Sequence, residues 1–198
     1  YFKKRNKDGI VEKWLEKNDY FEAFNPLWND NLNSRNEGKN VSLSNYFVAE
    51  YFPTQEWRIR ARLGITYGNN DAEVFYSPED TRFEDTEVLK KGEYTSTNTR
   101  LNQTEGELSV TWAKILGGHR INLVAGGNFN ASKSLVQGYS VQGFPNGDFT
   151  YPSFSNGYPE HGVPTFYESV SRSLNGYFNV GYSFDDRYLM DFSLRSSG

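Results

Sequence analysis

The stretch Trp57-Arg58-Ile59-Arg60-Ala61-Arg62-Leu63-Gly64-Ile65-Thr66-Tyr67 decides how this chain is read. Trp57, Ile59, Ala61, Leu63, Ile65 and Tyr67 share one parity, and Arg58, Arg60, Arg62, Gly64 and Thr66 share the other. Side chains of a β-strand alternate between two faces, so the stretch reads as a strand with one apolar face and one face carrying three arginines. A helix would scatter the same arginines around its circumference.

The same alternation recurs on either side. Upstream, Val41, Leu43, Phe47, Ala49 and Tyr51 oppose Ser42, Ser44 and Glu50. Downstream, Leu108, Val110 and Trp112 oppose Glu107, Ser109 and Thr111. After Gly117-Gly118, Ile121, Leu123, Ala125, Gly127 and Phe129 alternate with polar or small residues. Leu174, Phe178, Val180, Tyr182 and Phe184 follow, and then Tyr188, Met190, Phe192 and Leu194 beyond Asp185-Asp186. Six strands are expected, near residues 41–52, 56–69, 94–115, 120–137, 166–183 and 187–197. Tight turns near 53–55, 116–119 and 184–187 alternate with long loops at 69–93 and 138–165, and residues 1–40 form a third loop region. Within that region, Ile10–Lys17 reads as either a short helix or a hairpin arm. Successive strands are expected to pair antiparallel as an up-and-down meander.

Composition narrows the class. Twenty-one basic and 25 acidic residues give a net charge of −4, which argues against a nucleic-acid binder. The basic cluster Lys3, Lys4, Arg5 and Lys7 reads as a solvated loop face rather than a nucleic-acid arm, because acidic residues follow it. Only 36% of residues are apolar, yet 17% are aromatic, which separates this chain from disordered ones. No cysteine is present, so a disulfide scaffold and a zinc–cysteine site are excluded. No apolar run approaches the ~20 residues of a membrane helix. No signal-peptide pattern opens the chain, and it ends inside an expected strand. An internal fragment of a longer protein is the reading that follows.

Short turns, long loops, an apolar face, a polar face and aromatics at the ends of the apolar rows are the features of an outer-membrane barrel. Trp57, Tyr67, Trp112, Tyr182, Phe184 and Tyr188 sit at or near such ends. This favours a transmembrane segment over the alternative, a soluble β-sandwich carbohydrate-binding module. The discriminator is which strand face is dry. In the barrel reading Trp57, Ile59, Leu63 and Ile65 face lipid, as do Phe178, Val180, Phe192 and Leu194. Arg58, Arg60 and Arg62 then face a polar lumen with Asn175, Asn179, Asp191 and Arg195. Lipid contact would cost each arginine about 2–4 kcal/mol at the midplane. Glu50 and Glu107 are the expected partners of the arginines.

The C-terminal stretch carries a family resemblance. Arg172-Ser173-Leu174-Asn175-Gly176-Tyr177-Phe178 leads into Tyr182-Ser183-Phe184-Asp185-Asp186-Arg187-Tyr188-Leu189 and Asp191-Phe192-Ser193-Leu194-Arg195. This resembles the barrel of the SusC/RagA-like TonB-dependent outer-membrane transporters. Gly143-Phe144-Pro145, Ser155-Asn156-Gly157-Tyr158 and Asn25-Pro26-Leu27-Trp28 look like loops of the same family. The resemblance implies an all-β segment of a large, about 22-stranded, transmembrane barrel. It also implies a plug domain that this chain lacks, and import of oligosaccharides or peptides across a Gram-negative outer membrane. The implied partners are a SusD/RagB-like lipoprotein lid and the TonB complex, the latter through an N-terminal part missing here. Residues 1–198 would then be part of the barrel alone, with 1–40 as an extracellular loop region.

Catalysis is not expected. His119 and His161 share no metal-ligand spacing, and no metalloprotease, nucleophile-elbow or phosphate-loop pattern occurs. Asp185 and Asp186 read as turn residues rather than a catalytic pair. No cofactor or metal is implied. The acidic run 71–87 matches no dedicated calcium loop and reads as solvated. The loop aromatics Trp28, Phe75, Tyr76, Phe83 and Tyr158 are candidates to stack on sugars or to meet the lid, with loop self-packing as the competing role. Arg58, Arg60 and Arg62 are the candidate lumenal wall, contacting plug or substrate.

Overall fold

The computed structural model describes residues 5, 8–18 and 21–198. Lys3, Lys4 and Lys7 of the basic cluster lie outside the described residues.

The chain opens with a small hairpin, β1 (Trp14–Lys17) against β2 (Glu22–Phe24), so Ile10–Lys17 supplies a hairpin arm rather than a helix. The Trp14 and Phe24 rings stack at 4.3 Å. A single-turn helix follows, α1 (Pro26–Asp30). The Asn25 side chain accepts from the Leu27 backbone N–H at 3.1 Å, and proline at the first helical position loses no hydrogen bond.

Six long strands follow: β3 (Arg35–Tyr51), β4 (Trp57–Tyr76), β5 (Glu93–Leu116), β6 (His119–Gln142), β7 (Thr165–Phe184) and β8 (Tyr188–Ser197). They form one sheet in the order β3-β4-β5-β6-β7-β8, so every strand lies beside its sequence neighbours. This is the all-β antiparallel meander that the alternation implied. Among the described residues no second large sheet lies against it, as a sandwich would require. Asp185 and Asp186 both adopt positive φ, 50° and 51°, and Arg187 N–H donates to the Phe184 carbonyl at 3.0 Å. Asp185 and Asp186 are thus the two central residues of a β-turn with positive φ at both, as in the primed turns of hairpins, and Asp185–Arg187 connect the paired Phe184 and Tyr188.

Strand lengths depart from expectation. β4 runs on to Tyr76 and β6 to Gln142, while β3 begins at Arg35. The intervening loops are therefore 77–92 and 143–164, shorter than 69–93 and 138–165, and residues 1–40 are partly strand. The segments added to β3 and to the start of the β4 extension, 35–40 and 70–73, are rich in Asn, Asp and Glu and so resemble loop, while 138–142 begins with a glycine. Their cross-strand partners hold them: Arg35 with Glu73 at 3.4 Å, Asp71 with Asn98, and Thr95 with Ser140 at 3.1 Å. Backbone pairing overrides weak β-propensity there.

Contacts divide the chain into two compact units. The first comprises Tyr1–Asn40, Asn70–Thr99 and Val136–Tyr167. The second comprises Val41–Asn69, Arg100–Leu135 and Glu168–Gly198. In the first, Phe75, Tyr94, Val141 and Phe144 form a buried cluster with Tyr139 packed on it, and Phe75 meets Phe144 edge to face at 5.1 Å. In the second, Trp57, Leu63, Ile65, Phe178, Phe192 and Leu194 are all exposed, and no described apolar residue is buried.

Candidate functional site: the polar wall and the loop platform

Within the second unit the two sheet faces differ in chemistry. The β7–β8 register places Phe178 opposite Leu194, Val180 opposite Phe192, Tyr182 opposite Met190 and Phe184 opposite Tyr188. These cross-strand pairs make a continuous apolar row. At the tight-turn end the row closes in aromatics. Trp57 lies 6.3 Å from Trp112, His119 lies 4.7 Å from Phe184, and Phe184 lies 6.5 Å from Tyr188. His119 Nδ1 also bonds the Tyr182 hydroxyl at 2.7 Å.

On the opposite face Asn175 pairs with Ser197, Tyr177 with Arg195, Asn179 with Ser193 and Gly181 with Asp191. The three arginines of β4 belong here. Arg58 donates to Glu50 at 2.6 Å, Arg60 reaches the same carboxylate at 3.5 Å, and Arg62 pairs with Glu105 at 3.2 Å. Glu105, not the expected Glu107, is thus the second carboxylate of the ladder. Glu107 instead accepts from the Tyr177 hydroxyl at 3.1 Å, and Asn175 donates to Asn128 at 2.8 Å.

Tyr46 completes this wall, although its parity gave no hint of a role. The Arg62 guanidinium lies 4.6 Å above its ring. Gly64 makes room for the ring, since a Cβ there would come within 2.7 Å of Tyr46 and of Glu105. A cleft of about 220 Å³ opens beside Arg62, lined by Glu105, Glu107, Asn128 and Asn130. The Asn130 Oδ1 in it is buried and has no partner. Each arginine of the ladder meets a carboxylate, with Glu50 serving two of them, so this surface is a structured polar face rather than a bare basic patch.

The first unit is a platform of interlocked loops. Trp28 Nε1 donates to the Glu79 carbonyl at 2.9 Å. Asn29 clasps the next loop from both ends of its amide, donating to Thr81 Oγ1 at 2.8 Å and accepting from the Thr81 N–H at 3.1 Å. Asp80, 3% exposed, receives Arg82 at 3.2 Å, and the Arg82 guanidinium stacks 3.3 Å over Tyr76. Lys13 pairs with Glu84. That hydrogen bond holds the Glu84 carboxyl below its ordinary value, while the hydrogen bond to Glu87 raises Lys90.

These contacts relocate the candidate aromatics. Phe75 is not a loop residue and not accessible; it is 0% exposed, in the core of the platform, because β4 extends past it. Tyr76 is also on β4, half-buried under Arg82, and Trp28 and Phe83 are half-buried. Tyr158 alone of the five is exposed, at 51%. Sequence reading missed Phe149, Tyr151 and Phe154, which are exposed in the 143–164 loop; Phe149 and Phe154 pack edge to face at 4.9 Å. The acidic run does not gather into one site: Asp71 meets Asn98, Glu73 meets Arg35, Asp80 meets Arg82 and Glu84 meets Lys13. Among the described residues no group of three or more His, Asp or Glu is placed to hold a metal.

No family model and no curated protein matches the chain. Solved structures do. A chain of the RagAB peptide transporter matches with a TM-score of 0.78 at 16% identity, covering 96% of this chain and 21% of that one. The RagAB peptide importer matches in its closed-closed state with a TM-score of 0.78 and in its open-open state with 0.74, at the same identity and coverage. The fold is that of part of a β-barrel, an all-β antiparallel meander like the matching segment of those chains. The chain spans about a fifth of the length of the chains it matches.

Proposed function

We propose that this chain is a segment of the barrel wall of a TonB-dependent outer-membrane transporter that imports oligosaccharides or peptides. The observation that carries the reading is the exposed apolar face of the second unit, closed by aromatics at its tight-turn end. An apolar sheet face of this kind needs lipid or another apolar layer against it. Sheet edges within a membrane need pairing, so β3 and β8 would be joined by further strands of the complete protein. Arg58, Arg60 and Arg62 would line the lumen, facing plug or substrate. Coupling to the TonB complex would come from an N-terminal part of the protein outside this chain. A SusD/RagB-like surface lipoprotein would meet the loop end, with Tyr158 and its neighbouring loop aromatics as contact candidates.

Thiol labelling in the complete, membrane-inserted protein tests this. Single cysteines replace Ile59 and Arg60, which the alternation puts on opposite faces. A lipid-soluble maleimide is expected to prefer position 59, and a small water-soluble reagent position 60. Equal labelling of both from water would overturn the lipid-facing assignment.

A further inference from the structure

On the polar face of the second unit each ladder arginine meets a carboxylate; the apolar face carries cations that are answered differently. Arg100 on β5, Lys133 on β6 and Arg172 on β7 are exposed. They share parity with Leu108, Phe129 and Leu174 on their own strands, so they stand on the apolar face. Register brings them together. A Cβ at Gly106 would meet the Phe129 ring, and counting back from the two-residue turn Gly117-Gly118 gives the same pairing of β5 with β6. The Asn175–Asn128 bond at 2.8 Å sets β6 against β7. Continued along the strands, these registers put Arg100 opposite Leu135 and Arg172 opposite Ala131. Lys133 is then the diagonal neighbour of both, with backbones about 7–8 Å away on either side. Its ion pair with Glu168 at 2.9 Å fits the same register.

Three cations thus cross three neighbouring strands in one diagonal row. Glu168 answers Lys133, but among the described residues Arg100 and Arg172 have no carboxylate partner. The row also stands at a definite level in the sheet. Trp112 and Tyr182 belong to the aromatic closure at the tight-turn end, twelve residues from Arg100 and ten from Arg172. At about 3.4 Å per residue and a strand tilt of about 40°, these spans are roughly 31 and 26 Å along a membrane normal. The apolar band of a membrane barrel is about 25 Å tall, so the row lies where the hydrocarbon would end on the loop side. Arginine is tolerated at that level and not at the midplane. Just nearer the tight turns on the same face, Leu174, Phe129 and Leu108 are exposed, an apolar surface on which the stems of long cationic side chains can lie.

We infer that Arg100, Lys133 and Arg172 hold the phosphate of an anionic lipid in the loop-side leaflet, whose acyl chains cover Phe129 and Leu174. The arginine forks match phosphate oxygens in pairs, and lysine adds a point charge. Such a site needs lipid against this face, so it rests on the barrel reading.

The test uses the complete protein in neutral detergent and native mass spectrometry with dioleoylphosphatidic acid. Dioleoylglycerol supplies the same chains without phosphate, and inorganic phosphate supplies the anion without chains. Phosphatidic acid is expected to bind about tenfold or more tightly than dioleoylglycerol, and inorganic phosphate at about 1 mM should not displace it. Arg100→Gln combined with Arg172→Gln should weaken phosphatidic acid about tenfold or more, whereas the two Arg→Lys changes, which keep the charge, should cost less than about threefold. Arg120→Gln, at the tight-turn end where Arg120 pairs with Asp186 at 3.2 Å, should bind as the parent does. Equal binding of the two lipids, or unchanged binding in the Gln pair, overturns the inference. Displacement by inorganic phosphate would make this a free-anion site and overturns it too. So does a dimer in the same spectra that the Gln pair abolishes, because the row would then join two copies of the protein. If the Gln pair loses its folded band in a semi-native gel, Lys133→Gln alone decides, with an expected loss of about threefold or more and no loss overturning the inference. Labelling at positions 59 and 60 separates the two readings. The expected labelling without phosphate-dependent lipid binding overturns this inference and leaves the barrel standing; equal labelling from water removes both.

Discussion

In Val41–Asn69, Arg100–Leu135 and Glu168–Gly198 the large apolar side chains are exposed; in Tyr1–Asn40, Asn70–Thr99 and Val136–Tyr167 a set of them is buried. Leu63, Ile65, Phe178 and Leu194 exemplify the first, and Phe75, Tyr94, Val141 and Phe144 the second. The same strands supply both groups: β4 carries Leu63 and Phe75. Strand chemistry therefore does not decide burial. What differs is whether loops fold back on the strand. Where 77–92 and 143–164 return, through Gly143 N–H to the Gly92 carbonyl at 3.1 Å and Phe144 N–H to the Lys91 carbonyl at 2.8 Å, a conventional core forms. Where the connections are the short turns 52–56, 117–118 and 185–187 nothing returns, and a lipid layer would have to take the place of the core.

The largest expected effect tests the buried side. Phe75→Ala removes a fully buried ring and should cost the platform about 3–5 kcal/mol. Limited proteolysis of the complete protein should then cut within 77–92 or 143–164, while the barrel still migrates as a folded band in a semi-native gel. Loss of the folded band as well would mean that platform and sheet are one cooperative unit, and the contrast would fail.

The exposed side is broken by charge. Leu63 lies six residues from Trp57, roughly 20 Å along the strand at about 3.4 Å per residue, and so deep in the proposed hydrocarbon layer. Leu63→Arg should cost about 2–4 kcal/mol and deplete the assembled protein from the outer membrane. Arg62→Ala, one residue away on the polar face, should leave assembly near normal. Equal depletion by both would place water, not lipid, against Leu63.

How much of this was legible follows the same division. In the second unit a period of two ties each side chain to a face, and hydrophobicity reports that face, so the strand pairings and the opposed arginine row were readable from residues 57–67 and 172–195. In the first unit position depends on specific hydrogen bonds between distant loops. Asn29 with Thr81 and Asn33 with Gly147 leave no periodic trace, so neither the interlocking of the loops nor the burial of Phe75 could be read. Glu105 was missed as Arg62's partner for a related reason. Alternation names the face, but it does not show that the Tyr177 hydroxyl takes Glu107 and leaves Glu105 to Arg62.

A third effect probes the loop lock. Asn29→Ala removes two hydrogen bonds to Thr81 and leaves the Thr81 N–H without its acceptor, at a cost of about 1–3 kcal/mol. Hydrogen exchange at residues 79–83 should accelerate, with exchange in residues 105–111 and 122–130 unchanged. Acceleration in both would again merge the two units.

The smallest effect is electrostatic and confined to the platform. Glu84 has its carboxyl held below the ordinary value, first by the hydrogen bond from Lys13, against an opposing contribution from burial. A depressed carboxyl binds fewer protons folded than unfolded, so its stabilisation is present above the unfolded pKa and is lost as pH falls through the folded one. Both side chains are partly exposed, so the pair contributes about 0.2–1 kcal/mol, screened by salt. Between pH 6 and pH 3 the proteolytic resistance of the 77–92 loop should therefore fall slightly more in the parent than in Glu84→Gln, which has no carboxyl to titrate. The difference should shrink at 1 M salt. A variant that loses resistance in parallel with the parent would show that Lys13 and Glu84 do not couple residues 11–17 to the platform in solution.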